Sequence, residues 1–249
     1  RKKLAKKIFA YDTDVSSLKY AKNKKIINNF DSDDFKYLSE SDFIIICVPM
    51  SAYKKIFTII NKHKSPNAII TDIGSTKENI IAIAESTLSN NSDCFIGSHP
   101  LTGKETSKII SYEENLFDKA VVLMTPTRKK NKALINKVSK FWKSLKCQVK
   151  SISPQLHDLV LSETSHLPHL VSFALVNIIL NTKSIKNIKD YTGGGFRDFA
   201  RLAHSDGRMW NDICRTNEKN IISSINLLIK ELGSIKKIIK NVNKIMPSY

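Results

Sequence analysis

Ala68-Ile69-Ile70-Thr71-Asp72-Ile73 runs straight into Gly74-Ser75-Thr76-Lys77, and from there into a stretch ending at Leu88 whose apolar residues recur at spacings of three and four. A β-branched run, a glycine turn and an amphipathic segment make one strand–turn–helix unit. The unit has counterparts on both sides. Strand-like runs at Lys7 to Tyr11, Phe43 to Val48, Cys94 to Gly97, Ala120 to Met124 and Gln148 to Ile152 alternate with helical stretches such as Ser51 to Lys62 and Lys129 to Leu145. Short apolar strands separated by helices imply a largely parallel sheet covered on both faces. Residues 1–150 are therefore expected to form a doubly wound α/β domain.

After Pro154 the alternation stops. Helical patterns cover Gln155 to Leu180, then, after Gly193-Gly194-Gly195, two stretches from Phe196 to Leu232 and from Ser234 to Ile245. Residues 151–249 are expected to be a second, all-α domain. Its first helix is apolar on too many sides for a surface helix, as Leu170, Val171, Phe173, Leu175 and Ile178 show, so it packs centrally or against a second subunit.

The bulk numbers exclude several classes. The chain has 249 residues, 41% of them hydrophobic, enough for one large core or two modest ones. Its longest uninterrupted apolar run, Phe43 to Val48, is too short for a bilayer span, and no signal peptide is evident, so no membrane role and a cytoplasmic location are expected. Cys47, Cys94, Cys147 and Cys214 form no CxxC pair, which argues against a zinc site or a disulfide framework. The net charge of +17 comes from lysines scattered through nearly every segment. Solvated faces explain it better than a nucleic-acid surface, and the resulting field favours anionic ligands.

Candidate chemistry sits at strand ends. Asp12 closes the first strand, where an acidic residue of a dinucleotide fold hydrogen-bonds the adenosine ribose and favours NAD over NADP; Asp12 and Asp14 equally suit a helix cap. Val48 and Pro49 end the next strand at the position where cofactors pass. Ser75 and its neighbouring amides suit a substrate oxygen, the nicotinamide or a helix cap. His99, in Gly97-Ser98-His99-Pro100-Leu101-Thr102-Gly103-Lys104-Glu105, reads as a general base on a loop just past a strand. Its companions lie in the helical half: His157-Asp158, Ser165-His166-Leu167-Pro168-His169, Gly193-Gly194-Gly195-Phe196-Arg197-Asp198-Phe199-Ala200-Arg201, and Trp210. Without an HExxH or Cys/His set, no metal is expected.

Three of these motifs in this order, namely Gly74 to Lys77, Ser98-His99-Pro100 with Gly103 and Glu105, and Ser165 to His169 followed by Gly-Gly-Gly-Phe-Arg-Asp, resemble the prephenate/arogenate dehydrogenase family across essentially the whole chain. The resemblance implies a Rossmann-type domain, here lacking its first strand, followed by an all-α dimerisation domain. It also implies a homodimer that uses NAD. The implied reaction is oxidative decarboxylation of prephenate to 4-hydroxyphenylpyruvate in tyrosine biosynthesis, or of arogenate to tyrosine. On this resemblance His99 accepts the ring hydroxyl's proton and Ser75 bonds near hydroxyl and nicotinamide. Arg201 binds a carboxylate, His169 and His166 line the pocket, and Trp210 walls it.

Two departures stand out. Lys104 occupies a position where the family commonly has a small hydroxyl residue, so an extra cation is available to the substrate. The glycine fingerprint and first strand expected upstream of Asp12 are not in the sequence, which reads as an N-terminally truncated enzyme. The competing readings are a hydroxyacid dehydrogenase or pyrroline-carboxylate-type reductase, and a non-catalytic dimeric ligand sensor.

Overall fold

The structure, a computed structural model, describes residues 4–88, 93–103, 109, 112–127, 131–182 and 187–241. Its first part holds β1 (Phe9–Tyr11), α1 (Val15–Asn23), β2 (Asn29–Asp31), β3 (Phe43–Ile46), α2 (Tyr53–His63), β4 (Ile69–Asp72), α3 (Glu78–Thr87), β5 (Phe95–Pro100), β6 (Val121–Pro126), α4 (Lys132–Ser144) and β7 (Gln148–Ser151). The strands form a five-stranded sheet of order β3-β4-β5-β6-β7 and a separate parallel pair, β1-β2. Every pairing is parallel except β5 with β6, which run antiparallel with His99 opposite Leu123. Among the described residues no strand joins β1 to β3.

Two apolar clusters flank the sheet. Tyr53, Phe57, Ile70, Ile80, Ala84 and Phe95 build one under α2 and α3, and Ile96, Val122, Met124, Val138 and Trp142 build the other under α4. The α/β expectation holds. Three details differ: β2 is an added strand too short and polar to read from sequence, β5 extends to Pro100, and one neighbour pairs antiparallel.

The second part is helical: α5 (Pro154–Leu161), a π turn (Ser162–His166), α6 (Leu167–Leu180), α7 (Gly194–Ala203), α8 (Gly207–Thr216) and α9 (Glu218–Lys240). The π turn has a cause in the sequence. Pro168 has no N–H to offer the carbonyl of Thr164, and its ring crowds that carbonyl, so the helix widens by one residue. Gly233 does not divide the last helix, which runs through it; the breaks fall instead at His204 and Asn217. The continuous helix Pro154–Leu180 is long and apolar enough to cross a membrane by length and composition, which the longest uninterrupted apolar run did not reveal. Here it is docked on α3 and carries buried polar side chains that bond to its neighbours.

A buried ion pair fixes the turn between β4 and α3. Lys77 Nζ and Asp72 Oδ2 lie 3.0 Å apart, both fully buried. The ammonium also donates to the carbonyls of Gly74 (2.5 Å) and Thr76 (3.2 Å). Asp72 accepts from Tyr53 Oη (2.9 Å), the Gly74 amide (2.9 Å) and the Ser98 amide (2.8 Å). Gly74 is required by space: a Cβ there would meet Ile80 Cδ1 at 2.7 Å and Tyr53 Oη at 2.8 Å. Every donor and acceptor of the pair is thus used, the condition under which a buried pair does not drain stability.

Removing one partner should therefore be costly. Lys77→Met leaves Asp72 charged and unpaired, and urea denaturation should show a loss of about 3–5 kcal/mol. Asp72→Asn combined with Lys77→Met should recover part of it. A single variant within 1 kcal/mol of wild type, roughly the surface range, would contradict this role.

Candidate active site

The carboxyl ends of β4 and β5 face α5, the π turn and α6 across a cleft of about 520 Å³. Ser75, His99, Pro100, Thr102, His166, His169 and Trp210 are among its lining residues. Five candidates from the sequence thus come together from four separate segments. No Asp, Glu, Lys or Arg is among the described lining residues.

His99 stands in β5, not on the loop after it. Alternation along the strand turns Ser98 inward, where it meets Thr71 Oγ1 (2.9 Å) and accepts from Trp142 Nε1 (3.1 Å), and turns His99 toward the helical domain. There His99 Nδ1 is 2.9 Å from His157 Nε2, and His157 Nδ1 is 2.7 Å from Asp158 Oδ1. The direction of these bonds follows from chemistry. An ionised carboxylate only accepts, so His157 donates from Nδ1. Its Nε2 then carries the lone pair and accepts from His99 Nδ1, which leaves the lone pair of His99 on Nε2. A neutral His99 so arranged is a proton acceptor facing the cleft.

Electrostatics keep it neutral. Burial, then the charge of Lys77 and the neighbouring His157 and His166, holds His99 well below the usual histidine range. Burial likewise lowers His157 against the opposing pull of Asp158, and brings His166 down to about 4. His166 Nδ1 lies 3.2 Å from Asn217 Nδ2. His169 Nδ1 donates to the Ser165 carbonyl at 2.9 Å, and its ring stacks on Trp210 with centroids 4.3 Å apart. The buried indole N–H of Trp210 has no hydrogen-bond partner.

Asp158 ties the site together. Its two oxygens accept the Lys77 amide (2.7 Å) and the Glu78 amide (2.9 Å), capping α3 from the other domain. The N-cap alternative for Ser75 is thereby corrected: a carboxylate brought in by α5 does that work, and Ser75 faces the cleft half-buried. Asp14, not Asp12, caps α1 by accepting from the Ser16 and Ser17 amides. Asp12 lies exposed at the end of β1, with Oδ1 accepting the Asp14 amide at 2.9 Å. Val48 packs on the sheet core, and Pro49 precedes a turn where the amide and hydroxyl of Ser51 both donate to Asp212 of α8. Arg201 is exposed on α7 and does not line the cleft. Lys104 and Glu105 lie outside the described residues. Asp212, which joins the halves through Ser51, and Asn217, which ties α5 and the π turn to α9 within the helical half, carry no sequence signal beyond the readiness of Asp and Asn to bond backbone near helix ends. Among the described residues no group of three or more His, Cys, Asp or Glu is arranged to hold a metal ion.

A strand-end cleft between a dinucleotide-type sheet and a helical part, with a buried carboxylate–histidine–histidine chain aimed into it, is the arrangement of a two-part α/β plus helical protein with a proton-accepting imidazole at the seam. Residues 1–151 match the family described as prephenate dehydrogenase, nucleotide-binding domain, and residues 153–246 match prephenate dehydrogenase, dimerization domain. The chain belongs to the prephenate dehydrogenase family.

Among its relatives is the prephenate dehydrogenase of Bacillus subtilis, 32% identical over 169 residues, or 68% of this chain and 45% of that protein. The chain thus matches less than half the length of that relative. Among solved structures, prephenate dehydrogenase from A. aeolicus in complex with hydroxyphenyl propionate and NAD+ is similar at TM-score 0.90 and 33% identity, covering 96% of this chain and 83% of that one. Synechocystis arogenate dehydrogenase is similar at TM-score 0.78 and 25% identity, covering 94% and 83%.

The buried histidines make stability depend on pH in a set direction. Their folded pKa values lie below the unfolded value of about 6.5, so the unfolded chain takes up protons first as pH falls. Stability is fully present above about 6.5 and should decline from there toward pH 4, by up to about 1.4 kcal/mol per pH unit for each histidine. Thermal melts across this range should show the fall, and His166→Gln should flatten it. An unchanged wild-type melting temperature would refute the burial of neutral imidazoles.

Proposed function

We propose that this protein catalyses the NAD-dependent oxidative decarboxylation of prephenate to 4-hydroxyphenylpyruvate in the cytoplasm. The observation that carries the reading is the chain from Asp158 through His157 to His99, which presents an imidazole lone pair to the cleft. The described residues suit NAD at two ends: the exposed Asp12 carboxylate at the end of β1 for the adenosine ribose, and Pro49 and Ser75 at the ends of β3 and β4 for the nicotinamide. Among the described residues β1 and β3 are edge strands of separate sheets, and in this reading one further parallel strand with its diphosphate-binding turn joins them. The chemistry NAD supplies when bound is acceptance of hydride from the ring carbon that bears the hydroxyl.

The protein's own part is to take a proton and hold the ring. His99 Nε2 accepts the hydroxyl proton, and Ser75 donates toward the same oxygen. As the C–H electron pair leaves, the carbon–oxygen double bond forms; the ring carboxylate departs as carbon dioxide, its bonding pair aromatises the ring and pushes the carbonyl pair back onto oxygen, and that oxyanion recovers the proton held on His99 as the phenol. His157 and Asp158 keep the acceptor nitrogen of His99 turned to the substrate. Trp210 and His169, stacked on each other, form a flat wall suited to the ring. Arg201 stands four residues before Ser205, a cleft residue, and in this reading meets a carboxylate at the cleft's outer end. The similarity to an arogenate dehydrogenase supports arogenate as the second reading.

The test is the absorbance of reduced nicotinamide formed from prephenate and NAD by the full-length protein. Wild type should turn over, and His99→Asn should lose about 10²–10⁴-fold in kcat while remaining folded. Folded wild-type protein inert with both prephenate and arogenate would overturn this reading and bring the ligand-sensor reading to the front.

We also propose that the helical domain pairs two copies. Leu159, Ile178 and Leu180 of the long helix and Leu227, Ile229 and Leu232 of α9 are exposed, an apolar surface that the family's dimerization domain would cover. Ile178, 65% exposed, can be changed to Asp at little cost to the monomer fold. Sedimentation should then show wild-type dimers and Ile178→Asp monomers; a monomeric wild type would exclude the pairing.

A further inference from the structure

Asn217 sits between α8 and α9, only 4% exposed, and its side chain reaches two groups of the site. Nδ2 donates to the backbone carbonyl of Asp158 at 2.7 Å and lies 3.2 Å from His166 Nδ1, while Oδ1 accepts from Asn220 Nδ2 at 2.8 Å. The orientation of the amide is not arbitrary. A carbonyl can only accept, so the atom facing Asp158 must be the NH₂; the flipped amide would set two oxygens against each other. The second hydrogen of that NH₂ then points at His166 Nδ1, and an amide nitrogen cannot accept in return. His166 Nδ1 must therefore carry the lone pair. In a neutral ring the proton is then on Nε2, the nitrogen left for a ligand in the cleft that His166 lines.

We infer that Asn217 is a positioning residue that fixes His166 as an Nε2–H hydrogen-bond donor to an acceptor-only oxygen of the substrate, a carboxylate or keto oxygen. The inference rests on the cleft being the substrate site, as proposed above. It gives the cleft two imidazoles of opposite polarity. His99 offers a lone pair and His166 a proton, and each is set from behind by the same residue: the Asp158 carboxylate acts through His157, and the Asp158 carbonyl acts through Asn217. A ligand with a hydroxyl to deprotonate and a carboxylate or keto oxygen to anchor matches this pair.

Histidine-detected nitrogen-15 NMR of the ligand-free protein reads the tautomer without reference to activity. Wild-type His166 should carry its proton on Nε2. Asn217→Asp replaces the donor by an acceptor and should move the proton to Nδ1; Asn217→Ala, the variant to use if the first does not fold, should leave both tautomers populated. Steady-state kinetics with prephenate should then show KM raised about tenfold to a hundredfold by Asn217→Asp, the range for a lost hydrogen bond to a charged group, with kcat much less affected. A wild-type His166 protonated on Nδ1, a variant with the wild-type tautomer, or a switched tautomer with unchanged KM would each overturn the inference. Wild-type protein with the expected tautomer but no turnover would instead count against the proposed reaction, and the two failures are thus separable.

Discussion

One buried carboxylate holds the two halves of this protein in the geometry the cleft needs. Asp158, buried on α5, gives both side-chain oxygens to the first amides of α3, a helix of the other domain. Those amides have no partner within their own helix, and an anion is favoured there by the helix dipole as well. The same carboxylate orients His157, so the contact that docks the domains also sets the proton acceptor. Docking and catalytic geometry therefore cannot vary independently. A shift of α5 against α3 would uncap the helix and misdirect His99 in one movement.

The rigidity needed on the sheet side comes from Asp72 and Lys77. The pair sits beneath the turn that carries Ser75, and the Asp72 carboxylate reaches the Ser98 amide, one residue before His99. Two cleft residues, one in the turn after β4 and one on β5, are thus indexed to one buried group. Ser51 with Asp212, and Thr76 with Thr216, add further bonds between the halves near the same strand ends. This dense polar packing is satisfied almost throughout: among described buried side-chain atoms only Thr125 Oγ1 and Trp210 Nε1 lack a partner.

Much of this was legible in the sequence, because periodicity and motif order are local properties. Alternating β and α runs fixed the layered first domain, and Ser75, His99, His166, His169 and Trp210, drawn from scattered motifs, do meet in one cleft. What escaped was set by tertiary context. The Asn29–Asp31 strand is too short and polar to announce itself and exists through pairing with Phe9–Tyr11. A glycine at 233 reads as a break, yet its cost of about 1 kcal/mol is within what a packed helix of this length tolerates. Ser75 has the chemistry of a cap and loses that role to a residue 83 positions away, as no local pattern could indicate. Arg201, matched by motif, lies exposed on α7 and is not among the described cleft-lining residues.

The absence of formal charge from the described lining follows from the same constraints. An ammonium or guanidinium placed beside His99 would stabilise its neutral form further and weaken it as a base; a carboxylate would strengthen the base but repel an anion. Lys77 already lies close enough to hold His99 low, yet its charge is bonded to Asp72 and turned away from the ligand side. Neutral donors escape this conflict. An imidazole N–H or a hydroxyl contributes a fixed dipole in a partly dehydrated cleft, where such dipoles act at short range and shift the pKa of the acceptor nearby less than a full charge would. Long-range attraction of an anion can be left to the surface, since a chain of net charge +17 concentrates anions at its openings. The division is physically economical: charge outside for encounter, oriented neutral groups inside for proton transfer.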